Sequence, residues 1–154
     1  MTVRGPAFSL TIKDVCRALG GASRSRVHAW TKLPPFSSVE TSERSARRFD
    51  MTDVLTLAAL QKLEDVYGVR SSHLGQLSAG IHQYLSEPKA AGGEELVFVR
   101  LRDGLAEGLD GKLICEPGWI LNVAEERERM NVFLGIAPPQ RELPLMVSLA
   151  GHAP

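Results

Sequence analysis

The sequence predicts an α+β chain, with a mostly helical amino-terminal part followed by a small, β-rich α+β unit. Three observations carry this. Apolar residues recur at helical spacing through much of residues 11–86. From residue 95 the pattern turns to alternation, with glycines at 104, 108, 111 and 118 between the short runs. Between the two regimes lies EPKAAGG (87–93), a proline, two alanines and two glycines without an apolar anchor. The expected organisation is therefore a unit over 1–87, a linker at 88–93 and a second unit over 94–154. No internal repeat stands out.

Taken in order, Thr11 is a good N-cap and Asp14 stands in capping-box position three residues later. Ile12, Val15, Cys16 and Leu19 then fall on one helical face, which reads Cys16 as core. Gly20-Gly21 ends this helix, and Ser23 caps a second one to about Lys32, with Val27 and Trp30 inward. Pro34-Pro35 stops it. Residues 36–48 are polar and turn-rich, with weak strand character from Phe36 to Thr41, and read as a two-stranded wing with a mobile tip. Asp50 and Thr52 are both candidate caps for a helix over Val54 to Tyr67, with Leu55, Leu57, Ala58, Leu60, Leu63 and Val66 internal. Ser71-Ser72 open another helix to about Ser86, whose stripe is Leu74, Leu77, Ile81, Tyr84 and Leu85.

Beyond the linker, Glu95 to Leu101 alternates like a strand, and Lys112 to Cys115, Met130 to Ile136 and Leu145 to Leu149 are further candidates. Residues 119–130, WILNVAEERERM, are ambiguous, strand-like at the start and helix-like at the end.

A formal net charge of zero hides an uneven distribution. Residues 1–50 carry nine Lys/Arg against four acids, a net of about +5, and residues 51–154 carry about −5. A basic head on an acidic body points to a polyanionic partner for the head. Hydrophobic content of 44% and charge of 23% belong to a globular chain. No apolar run approaches the roughly 18 residues of a membrane span, and MTVRGPAFSL lacks the core of a signal peptide. The expected location is the cytoplasm, in association with the nucleoid. Cys16 and Cys115 are far apart without CxxC spacing and read as reduced, buried thiols. No metal-ligand spacing, phosphate loop or nucleophile elbow is present, so neither an enzyme nor a cofactor is expected.

Residues 9–85 resemble the MerR-type winged helix-turn-helix. The likeness is carried by Thr11-Ile12 with Val15, Gly21-Ala22-Ser23, Trp30, Arg47-Arg48-Phe49 and Asp53-Val54-Leu55, in that order, followed by LQKLEDVYGVRSSHL. Two departures stand out. Ser45-Ala46 replaces the Gly-Tyr that usually precedes the wing arginine, and Pro88 with the glycine linker interrupts the place of the long dimerisation helix. The resemblance implies a winged helix-turn-helix that binds double-stranded DNA, and implies nothing about residues 94–154.

On that reading the second helix enters a major groove, with Arg24, Ser25 and His28 outward and Arg26 at the flank, and Lys32 at its end. Arginine suits this task because its planar fork binds guanine O6 and N7 together. Arg44, Arg47 and Arg48 in the wing, and Lys13 and Arg17 one turn apart on the first helix, would hold phosphates. Arg47 is the leading wing contact, while Phe49 packs the wing on the core. His73 and His82 are expected on the surface. The expected function is a homodimeric, sequence-specific transcriptional regulator on a near-palindrome. Repression comes ahead of activation because blocking a promoter needs less machinery. The 74–85 stripe could bury against its twin in a dimer or instead seal the carboxy-terminal unit onto the head, ELVFVRL is the other candidate dimer contact, and residues 94–154 are open to a protein or small-molecule effector. The alternatives are an excisionase-like architectural factor and a winged-helix adaptor for protein.

Overall fold

Local capping starts the first two helices where the sequence places them, and the third at Met51, three residues earlier than expected. A computed structural model of the chain describes residues 9–38, 47–87 and 95–136. Helix α1 (Ile12–Ala18) opens on the Thr11/Asp14 capping box. Gly20 and Gly21, with φ of 74° and 87°, turn the chain into α2 (Arg24–Thr31), where Ser23 accepts from the Arg26 amide at 3.2 Å. Helix α3 (Met51–Asp65) opens on a second capping box, Asp50 with Asp53. Helix α4 (Ser71–Ser86) follows with Arg70 at its N-cap position and no side-chain cap bond, so the expected serine cap is not used.

A three-stranded antiparallel sheet comes next, in the order β2-β1-β3: β1 Leu96–Arg100, β2 Ala106–Gly108 and β3 Gly118–Asn122. Val97 and Val99 lie opposite Leu121 and Trp119 and face the helices. Phe98, opposite Ile120, is buried on the other face over Gly118. Asn122 ends β3 and caps α5 (Val123–Phe133), so the ambiguous 119–130 segment is strand first and helix second.

The α+β class stands, and one core runs through it. Val15, Leu19, Val27 and Trp30 from α1 and α2 join the buried face of α3, the Leu74, Leu77, Ile81 and Leu85 stripe of α4, and Val97, Val99, Leu121, Val123 and Met130. The α4 stripe is thus covered within the chain, with α3, β1 and β2 against this helix, and is not a free dimer face. Among the described residues no helix is long and apolar enough to cross a membrane.

Several expectations are corrected. Phe36–Ser38 is a 3-10 turn, not a strand, because the Ser38 amide and its Oγ both return to the Pro35 carbonyl. Residues 39–46, the rest of the expected wing, lie outside the described residues; antiparallel pairing is present at its base, between Leu10 and Phe49. Val66 is 63% exposed, since α3 ends one residue earlier and Val69 folds back, its amide on the Leu63 carbonyl, to take the buried place. Lys112 to Cys115 is loop and Cys115 is exposed, because β1 finds its hairpin partner at once, Val99 opposite Ala106. Cys16 is only partly buried. Met130 to Ile136 is the end of α5 and its turn, closed by Gly135 at φ 69°. Leu145 to Leu149 lies outside the described residues.

Candidate nucleic-acid interface

Helix α2 is divided by what its two sides meet. Arg24, Ser25, His28 and Lys32 are exposed and, at about 100° per residue, fall within about 100° of arc. Val27 and Trp30 are buried on the other side. None of Arg24, Lys32, Lys13, Arg17 or Arg48 makes a salt bridge among the described residues, and all five are exposed. Ala29, also exposed on α2, belongs to the open face and was not singled out from the sequence. Its only signal is position, because alanine is as common in helix interiors as on surfaces.

The charges of Arg17 and Arg48 both act on one carboxylate without pairing with it. Asp14 is held below the usual carboxylate range, first by the Thr11 amide and hydroxyl and then by the nearby charges of Arg17 and Arg48. Lys13 is exposed on the same short helix. The Leu10–Phe49 bridge accounts for the proximity, since it draws the segment carrying Arg48 beside the start of α1.

Two arginines expected at DNA are engaged elsewhere. The Arg26 guanidinium pairs with both oxygens of Asp65, one of them at 3.2 Å, and with Glu64 at 3.3 Å, and it lies 4.8 Å over the Trp30 ring. The Asp65 bond, above all, raises its pKa further. Arg47 donates to the Phe36 carbonyl at 2.7 Å and stands 5.5 Å over both the Phe36 and Phe49 rings. Burial lowers its pKa. Arg47 therefore joins the 3-10 turn to Phe49, and its half-buried guanidinium already has a carbonyl and two rings as partners. Spacing alone could not have separated these residues from Arg24 and Arg48, because their partners lie up to 39 positions away. Arg44 lies outside the described residues.

The frame behind α2 contains groups that sequence reasoning passed over. Trp30 Nε1 donates to Glu64 Oε2 at 2.9 Å, and Gln61 Nε2 donates to the Leu19 carbonyl at 2.8 Å, so α3 grips both short helices. His82 is not a free surface residue: its Nε2 lies 3.0 Å from Asp53 Oδ1 and its ring meets the Phe36 ring edge-on at 5.8 Å. Burial pushes the Asp53 carboxyl up, but hydrogen bonds from His82 and the Asp50 amide outweigh it and hold the pKa low. His73 is exposed as expected.

Chemically, the open surface offers guanidinium, ammonium and hydroxyl donors, a set suited to phosphate oxygens and base edges. No three metal-ligating side chains converge among the described residues. No family model, curated protein or solved structure matches the chain.

Proposed function

We propose that the chain is a sequence-specific, double-stranded-DNA-binding transcriptional regulator, acting as a repressor at the nucleoid, in which α1, the glycine turn and α2 form a MerR-like helix-turn-helix. Helix α2 enters the major groove with Arg24 and His28 at base edges and Ser25 and Lys32 beside them. Lys13, Arg17 and Arg48 hold phosphates. The observation that carries this reading is the sorting of charge on α2: Arg26 is tied to Glu64 and Asp65, while Arg24 and Lys32 remain exposed without a salt bridge. The homodimer in this reading uses the carboxy-terminal unit, because the α4 stripe is already covered.

The test is selection of duplexes from a random pool, followed by anisotropy titrations across salt. Three cations on phosphates predict a slope of log K against log salt of about −3 per protomer. Arg24→Ala should weaken the selected site about tenfold more than a scrambled duplex, and Arg48→Ala should weaken both alike. A slope near zero, or no enriched sequence, rejects the reading.

A further inference from the structure

We infer that Glu64 is a positioning residue for α2: by holding Trp30 and Arg26 together it sets the roll of that helix, and so governs sequence discrimination more than affinity. The inference rests on the proposed reading of α2 as the DNA-facing helix.

The geometry is a two-point mount. One Glu64 oxygen accepts from Trp30 Nε1 at 2.9 Å and the other from Arg26 at 3.3 Å. These two side chains are four residues apart, one turn of the same helix, and stack with Arg26 4.8 Å over the indole. Asp65 holds the far side of the same guanidinium. Burial of Val27 and Trp30 draws α2 onto the core but is non-directional, so it does not fix the helix's rotation closely. Directional bonds from one carboxylate to successive turns do. The magnitude matters, because an arginine fork stands about 8 Å from its helix axis, and a roll of about 15° moves it about 2 Å. Bidentate recognition of a base tolerates only a few tenths of an ångström. Phosphate contacts made by long, flexible side chains absorb the same shift.

Glu64 acts here behind the helix, not at the DNA. Its side chain and that of Arg26 are 24% and 29% exposed, so the pair is largely shielded from water, and losing Glu64 also leaves the N–H of the buried Trp30 without its acceptor, while α2 keeps its Ser23 cap. A stability cost therefore accompanies any loss of the mount, and the ratio of two affinities measured on the folded variant separates positioning from folding.

The experiment compares the full-length chain with Glu64→Ala, Glu64→Gln and Trp30→Phe. The affinities are measured on the selected duplex and on a scrambled one, beside thermal melts. Glu64→Ala should lower the ratio of the two affinities about tenfold and lower the melt by a few degrees, the ratio being read on the folded variant. Glu64→Gln keeps an oxygen for Trp30 Nε1 and should restore most of the ratio. Trp30→Phe keeps an aromatic ring but loses the donor, and should lower the ratio as Glu64→Ala does. Deleting a negative charge without any positioning effect would raise both affinities equally; that result overturns the inference. Should Glu64→Ala fail to fold, Trp30→Phe decides, and an unchanged ratio there is equally fatal. A wild-type chain that binds no duplex overturns the reading of α2 together with this one. Selective wild-type binding with an unchanged ratio in the variants removes only the mount.

Discussion

Arginines of one head do three different things, and neighbours decide which. Arg24 and Arg48 stay exposed, Arg26 is taken by acids of α3, and Arg47 is spent on two aromatic rings and a carbonyl. Arg47→Ala is therefore expected to cost about 1–2 kcal/mol of stability by chemical denaturation; an unchanged midpoint would return Arg47 to the surface. Glu126 makes the converse case. Its side chain is 12% exposed, and although the Arg129 guanidinium is 3.0 Å away, Oε2 has no hydrogen-bond partner. Burial raises its pKa, with Arg129 and Lys62 opposing. The sign follows from linkage: the unfolded chain loses this proton at lower pH than the native chain does, so stability falls as pH rises through that window and the full cost is present at neutrality. Glu126→Gln should accordingly stabilise by about 1 kcal/mol at pH 7. The gain should fade near pH 4, below the ordinary glutamate value. Denaturation curves at the two pH values read this directly, and a loss of stability at both would refute it.

Elements were legible where the signal is local. The Thr11/Asp14 capping box and the Gly20-Gly21 turn lie within four residues of the side chains that cause them, whereas α3 starts three residues before the expected Val54, on Asp50. Strand β2 was not, because AEG has low β-propensity and owes its pairing to β1. The junction of α4 with the β1–β2 turn is likewise invisible in sequence, yet it is tight. A Cβ on Gly80 would stand 2.0 Å from the Gly104 carbonyl oxygen, and one on Gly104, at φ 71°, would stand 2.1 Å from that of Gln76. Gly80→Ala must push two backbones apart and should cost about 2–4 kcal/mol. Gly75→Ala, in the same helix with only Leu33 Cδ2 at 3.4 Å, should be neutral or stabilising by up to about 1 kcal/mol. Thermal melts of the pair check this, and equal effects would show that the close approach does not hold.

At the scale of the molecule, the head and the sheet share one buried cluster despite the composition break at 87–93. Helix α5 lies against both α3 and β1, and Arg127 pairs with Glu95 at 2.8 Å while Arg129 reaches Gln61 at 3.3 Å. The full chain is expected to unfold in a single calorimetric transition. A fragment of residues 1–87 should melt at least 10 °C lower, since removing β1, β2 and α5 uncovers apolar side chains worth about 1.5–3 kcal/mol each. Two resolved transitions in the full chain, or a fragment as stable as the whole, would argue for independent units.

The order of letters determined by itself the α+β class, the starts of α1 and α2, the inward Val27 and Trp30, and the outward Arg24, Ser25 and His28, because caps, turns and periodicity act over one or two turns of chain. Which cations remain open was decided only in three dimensions. Arg26 and Arg47 were claimed by Glu64, Asp65 and the Phe36 and Phe49 rings, and the α4 stripe was covered by α3 and the sheet. Ion pairs and ring contacts form between whatever surfaces folding brings within a few ångströms, and that proximity is set by the packing of distant elements, not by their spacing along the chain.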